Sequence, residues 1–180
     1  RILITGAFGQ LGHSLQSVLS KKSNYEIICT GRKIKKGQEG IPLDIRNQVV
    51  LKELINTTAP DILINLAAMT NVDACELNPK LAGEINVAGL EHICDSFRGK
   101  IIHLSTDYVF DGTSGPYKED DPLNPISIYG KTKLASEHIL LEKDFKNLVI
   151  RGNVLYDYSP HTSASFLNWV VSSLKGNQEI

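Results

Sequence analysis

Ile2-Leu3-Ile4-Thr5-Gly6-Ala7-Phe8-Gly9-Gln10-Leu11-Gly12 is the stretch on which the fold turns. Its first residues are a short apolar run and read as a buried strand. Leu11, Leu15, Val18 and Leu19 follow at a spacing that puts them on one face of a helix. Gly6, Gly9 and Gly12 stand at the junction. They let the backbone turn sharply, approach a ligand closely and pack helix against strand. The open N–H groups of a helix N-terminus attract phosphate, and the helix dipole favours the same negative charge. Three glycines alone are a weak signal. At a strand-to-helix junction they predict a dinucleotide site.

Outward from this junction, strand and helix patterns alternate. Tyr25 to Thr30 reads as a second strand, Gly31 to Gly40 as a polar, basic loop and Leu43-Asp44-Ile45 as a short third strand. Val50, Leu51, Leu54 and Ile55 carry helical spacing between Asn47 and Thr57, and Asp61 to Leu66 reads as a buried strand. Pro79 suits the first turn of a long helix running to about Arg98. A strand from Lys100 to Leu104, a punctuated loop to Ser127 and a helix from about Tyr129 to Lys143 come next. Leu148 to Arg151 is the last strand and Ser163 to Lys175 the last helix. This order predicts an α/β fold, a doubly wound parallel sheet of Rossmann type, with ligands at the carboxyl ends of its strands. Residues 1–180 read as one such domain, and Gly176 to Ile180 resemble the start of another strand. We therefore expect a C-terminal substrate-binding lobe beyond them.

The composition limits the function. Of the 180 residues, 42% are hydrophobic and 22% charged, with a formal net charge of -1. A near-neutral chain without a basic block argues against nucleic acid or an acidic membrane as partner. No apolar run has the length of a membrane span, and nothing at Arg1 resembles a signal peptide. Cys29, Cys75 and Cys94 form no CxxC pair, so reduced thiols in a cytoplasmic protein are expected. Histidines 13, 92, 103, 138 and 161 are scattered, and no metal is expected. His103, on a buried strand, reads as a satisfied core residue. Glu119-Asp120-Asp121 reads as a solvated loop, and Trp169 with Phe166 and Val170 as packing.

The second strand ends in Thr30-Gly31-Arg32-Lys33, with no carboxylate between Glu26 and Glu39. An NAD site usually places an acid there to hold the ribose hydroxyls. Arg32 would instead pair with a 2′-phosphate, which favours NADPH, with NADH as the second candidate.

Tyr129 and Lys133 stand four residues apart at the start of a helix, on one face. A tyrosine of pKa about 10 exchanges protons poorly at neutral pH. A lysine charge about 4 Å away contributes up to ~4 kcal/mol at an effective dielectric of 20, or about three pKa units. Such pairs also occur on ordinary charged helices. The neighbouring strand decides: Ile101-Ile102-His103-Leu104 ends in Ser105-Thr106, where this fold puts its chemistry. A hydroxyl there can hydrogen-bond a substrate carbonyl.

The glycine spacing, Asn65-Leu66-Ala67-Ala68, Ser105-Thr106-Asp107-Tyr108-Val109-Phe110-Asp111-Gly112 and Tyr129-Gly130-Lys131-Thr132-Lys133-Leu134 resemble extended short-chain dehydrogenases. Within that family the chain is most similar to the dTDP-4-dehydrorhamnose reductases, over essentially all its length. The resemblance implies a catalytic triad of Thr106, Tyr129 and Lys133, with Tyr129 protonating a C4 carbonyl oxygen and NADPH giving hydride to C4. It implies pyrophosphate contacts at Gly9, Gln10 and Leu11, and Asp44 and Ile45 near the adenine. Ala67, Ala68, Met69 and Thr70 would line the cofactor cleft, where Lys133 and Tyr129 would also meet the cofactor. Asp107 and Tyr108 would lie beside the sugar of a nucleotide-sugar substrate, a dTDP-4-keto-6-deoxy-L-hexose on the way to dTDP-rhamnose. Dehydratases of the family carry Asp-Glu after the triad threonine, whereas Asp107-Tyr108 stands here. Arg151-Gly152-Asn153-Val154 lacks the tryptophan that reductases usually place near the sugar, which leaves the sugar open. The alternatives are a non-catalytic NADP-binding regulatory subunit, like the beta subunit of methionine adenosyltransferase, and a nucleotide-sugar epimerase or dehydratase. A homodimer is compatible with each.

Overall fold

A computed structural model describes residues 1–22, 24–143, 146–155 and 166–176, without the side chains of Phe166 and Trp169. Strand β1 (Ile2–Thr5) is buried along its whole length, as an apolar run flanked by strands on both sides must be. β2 (Ile27–Gly31) and β4 (Ile62–Asn65) pair with it in parallel, one on each edge. With β3 (Ile41–Pro42), β5 (Lys100–Thr106) and β6 (Leu148–Gly152), the sheet order is β3-β2-β1-β4-β5-β6, parallel throughout. The chain winds outward from β1 to β3, returns to the centre and winds the other way. The switch point lies between β1 and β4, and in such sheets the crevice outside it binds ligand.

Helices cover both faces, as expected. On one side α1 (Gln10–Leu19) presses Leu15 and Leu19 against Ile2, Ile4 and Ala7. Val18, expected on the same face, is exposed because the stripe is narrower than the sequence pattern allowed. On the other side Leu3 and Leu63 meet Leu51 and Ile55 of α2 (Gln48–Thr58), with Leu90, Ile93 and Leu140. Each such fully buried aliphatic side chain contributes about 1.5–3 kcal/mol. α2 starts where the Asn47 side chain accepts from the Val50 N–H and ends at Ala59, whose φ of 42° is left-handed.

The third strand differs from expectation. It is Ile41–Pro42, paired with Thr30 and Gly31, rather than Leu43-Asp44-Ile45. Leu43 and Ile45 are buried, but Asp44 breaks the strand by turning the chain on itself. Its carboxylate accepts from the Arg46 N–H at 3.1 Å and its carbonyl from the Asn47 N–H at 2.9 Å. Aspartate forms such turns readily.

A short helix not foreseen, α3 (Val72–Leu77), is capped by Asn71 and too short to show a period. The long helix from Pro79 is three segments: α4 (Pro79–Gly83), a wider π turn (Glu84–Ala88) and α5 (Gly89–Ser96). β5 continues two residues past Leu104, through Thr106, because Ser105 and Thr106 pair with Arg151 and Gly152. A single 3-10 turn, Asp107–Val109, precedes the long loop to α6 (Ile128–Lys143). α7 spans Phe166–Lys175. The expected start of that helix at Ser163, and His161, lie outside the described residues, as does the packing expected of the Phe166 and Trp169 side chains. Among the described residues, no helix is long and apolar enough to cross a membrane.

Candidate active site

A cleft of about 680 Å³ opens at the carboxyl ends of the strands, and Gly6, Gly9, Gln10, Leu11 and Gly12 line it. Gly6 has a φ of +69°, and a Cβ there would lie 2.6 Å from the Ala67 nitrogen. A Cβ on Gly12 would collide with the Ala7 carbonyl. These two glycines hold β1, β4 and α1 closer than any side chain permits. Gly9 is the N-cap residue of α1, so the helix presents its positive end at the cleft wall.

Arg32, Asp44 and Ile45 line one end of the cleft. Arg46 holds both carboxylate oxygens of Asp44, with Nη2 to Oδ2 at 2.6 Å, and lies 3.6 Å from Glu84. That hydrogen-bonded pairing, with the Arg32 charge adding to it, keeps the Asp44 carboxyl below its ordinary pKa. Asp44 is thus engaged by Arg46, and Arg32 stands as a cation on the wall.

Ala67, Ala68, Met69 and Thr70 form the middle of the wall after β4. Asn86, a residue not foreseen in the sequence, holds them in place. Its Oδ1 accepts from the Met69 N–H at 2.7 Å; its Nδ2 donates to the Met69 carbonyl at 3.1 Å and to Thr132 Oγ1 at 3.0 Å. The π turn carries this buried amide, so one residue ties the wall to the first turn of α6. A buried asparagine inside a helix looks like any surface asparagine in one sequence.

Thr106, Asp107, Tyr108 and Tyr129 line the other end. Thr106 Oγ1 accepts from the Tyr108 N–H and donates to Asp107 Oδ1, both at 3.2 Å. Tyr129 lines the same end of the cleft as Thr106, and its ring stands edge-on to Tyr108 at 5.8 Å. A Cβ on Gly130 would collide with the Tyr108 carbonyl, so α6 and the 3-10 turn meet at van der Waals distance. Behind them Glu137 accepts from Ser105 Oγ and pairs with Arg151, Nη2 to Oε2 at 2.8 Å. Arg151 also donates to the Glu119 carbonyl at 2.8 Å.

Lys133 is the exception among the expected site residues, because it does not line the cleft. Its side chain runs beneath the end of the sheet, where Nζ donates to the Leu104 carbonyl at 2.7 Å and lies 3.0 Å from His103 Nε2. Burial pulls its pKa down to about 7, against the opposing pull of Glu137. The expected lowering of the Tyr129 pKa by a lysine charge is correspondingly not seen. Burial pushes Tyr129 up, and the Thr106 side chain is the opposing effect. The spacing placed both residues on one face of α6 correctly, but desolvation outweighs the charge that spacing alone assumes. His103 is the satisfied core residue expected, 3.0 Å from Asn65 Nδ2.

The arrangement offers glycine-lined backbone, a cation and a phenol–hydroxyl pair in one cleft. The family model described as RmlD substrate binding domain matches residues 1–180. A dTDP-4-dehydrorhamnose reductase of Aggregatibacter actinomycetemcomitans is 39% identical over 155 residues, covering 84% of this chain and 50% of that protein. Methionine adenosyltransferase 2 subunit beta of Xenopus tropicalis is 36% identical over 159 residues, 87% of this chain and 47% of that protein. The crystal structure of dTDP-4-dehydrorhamnose reductase from Bacillus anthracis in complex with NADP superposes with a TM-score of 0.86 at 33% identity, covering 100% of this chain and 61% of that one. The chain thus spans about half to three-fifths of the length of these relatives. With the model matched from end to end and the parallel sheet in the same form, the chain belongs to the RmlD substrate-binding domain family.

Proposed function

We propose that this chain is the nucleotide-binding part of an NADPH-dependent reductase acting on the C4 keto group of a dTDP-4-keto-6-deoxy-L-hexose. The single observation that carries the reading is one cleft with Gly6–Gly12 and Arg32 at one end and Thr106 with Tyr129 at the other. A dinucleotide fits it: backbone that no Cβ could occupy is supplied at Gly6 and Gly12, and Arg32 offers a planar cation to a 2′-phosphate. NADPH, when bound, supplies hydride. The chain's own residues do the rest. The N-terminus of α1 receives pyrophosphate, Thr106 hydrogen-bonds the substrate carbonyl oxygen, and the Tyr129 phenol gives it a proton. A phenol whose pKa burial keeps high is protonated at neutral pH, which is the form an acid needs.

The beta subunit of methionine adenosyltransferase supports a second reading, a regulatory subunit that binds the cofactor without turnover. The withdrawal of Lys133 from the cleft is the observation in its favour. The two readings separate on NADPH consumption by the full-length protein with the dTDP-4-keto-6-deoxy-L-hexose, beside Tyr129→Phe. Turnover lowered by about 10²–10⁴ in the variant, with NADPH still bound, supports the reductase. A wild type that binds NADPH and turns over nothing supports the regulatory reading.

A further inference from the structure

A row of polar side chains runs beneath the cleft. Thr5, Asn65 and His103 share one register across β1, β4 and β5, and Lys133 of α6 ends the row. None is more than 2% exposed. Thr5 Oγ1 donates to Asn65 Oδ1 over 2.5 Å, and Asn65 Nδ2 donates to His103 Nδ1 over 3.0 Å. A neutral imidazole has one donor nitrogen and one acceptor. With Nδ1 accepting, Nε2 carries the proton, and it faces Lys133 Nζ at 3.0 Å and Ser136 Oγ at 3.3 Å. An ammonium has only donors. In this polarity Lys133 therefore fits as a neutral amine whose lone pair accepts from His103.

We propose that His103 is a positioning residue whose tautomer is coupled to the charge of Lys133. In one state Lys133 is an amine, the imidazole proton is on Nε2 and the row is polarised from Thr5 to Lys133. In the other, one added proton makes Lys133 an ammonium that donates to Nε2. The imidazole proton is then on Nδ1, and the Asn65 amide is turned so that Oδ1 accepts from it and Nδ2 donates to Thr5. The imidazole is neutral in both. Burial supports this: it holds His103 well below its ordinary pKa, with the Lys133 charge acting in the same direction, and brings Lys133 to about 7. The other charged groups at the row are Glu137 of α6, which favours the ammonium, and Arg151 of β6, which is paired with Glu137. The consequence for catalysis, through the charge that Lys133 carries, rests on the reductase reading. The coupling itself does not.

The test is ring ¹⁵N NMR of histidine-labelled full-length protein from about pH 5.5 to 9, a range spanning ordinary histidine titration. The expected result is a His103 that stays neutral and moves its proton from Nδ1 to Nε2 as pH rises through the Lys133 pKa. Lys133→Met is expected to abolish that dependence. One tautomer throughout in the wild type, or an imidazolium forming near the ordinary pKa of about 6.5, overturns the proposal. The reductase assay adds a second readout. His103→Leu takes away the ring partner of Lys133, so the limb of kcat that follows Lys133, near pH 7 in the wild type, should move by about one pH unit, with NADPH affinity kept within about twofold. His103→Gln, which can donate or accept, should restore the limb. A fall in kcat with an unmoved limb overturns the coupling, and a wild type without turnover leaves the NMR result to decide it alone.

Discussion

The β1–β3 side of the cleft offers a ligand mainly backbone, whereas the β5–β6 side offers side chains. On the first side, Gly6 and Gly12 bring chain segments together, and α1 behind them is an amphipathic helix with Leu15 and Leu19 turned inward. On the second, α6 buries Lys133, Ser136 and Glu137 beside Leu140, so its inward face is largely polar. The first side is stabilised mainly by apolar burial and can leave N–H groups of α1 open to a ligand. The second has to satisfy every buried polar atom, and does so through Ser105, Arg151, His103 and Leu104. A backbone site tolerates change in side chains; a buried network does not.

Paired glycine substitutions would strain this contrast most. Gly12→Ala pushes α1 from β1, and NADPH affinity measured by fluorescence should fall at least about 100-fold. Gly130→Ala separates α6 from the 3-10 turn. Because a misplacement of about 1 Å can cost about 100-fold in rate, kcat should fall that far while NADPH affinity holds within a few-fold. If both variants lose both properties equally, the two sides are one unit and the contrast fails.

Glu137→Ala leaves Arg151 and Ser105 without their buried acceptor. Urea unfolding should show a loss of about 3–5 kcal/mol, recovered in part by Arg151→Met in the same chain. Arg32→Ala sharpens the other side: a lost charged hydrogen bond of about 1.5–3 kcal/mol should weaken NADPH binding roughly 10- to 100-fold and leave NADH binding nearly unchanged. Equal weakening of both would place Arg32 away from the 2′-phosphate.

The smallest effect concerns the loop beyond β5. Asp111 accepts from the Tyr117 hydroxyl at 2.6 Å, from Thr113 and from Asn124 Nδ2. The Tyr117 bond first, then those from Thr113 and Asn124, hold its carboxyl far below the ordinary range. A depressed folded pKa stabilises the fold above the unfolded value of about 3.9, and this is lost as pH falls through the folded value. Asp111→Asn should therefore lower the neutral side of a stability–pH curve toward its acid side, which itself changes little. Thermal unfolding between about pH 2 and 7 measures it.

Much of the fold was legible because it rests on short-range rules. The alternation of apolar runs and helical spacing gave the parallel sheet, and Pro79 opened its helix where expected. The third strand was placed two residues late because Leu43 and Ile45 are buried without being in a strand, and burial was the signal being read. α3 and the π turn escaped because six- and five-residue segments carry no measurable period.

For the site, the sequence by itself determined the glycine junction, the absence of an acid beside Arg32 and the side-by-side placement of Tyr129 and Lys133 on α6. Each depends on residue type at a fixed spacing, which the backbone geometry of a turn or helix converts directly into position. Only the tertiary structure decided that Lys133 lies under β5 instead of in the cleft, that burial sets the pKa values of Tyr129 and Lys133, and that Asn86, His103 and Glu137 are structural partners of the site. Desolvation and long-range hydrogen bonds depend on what packs around a residue. The groups that meet here come from segments 29 to 46 residues apart.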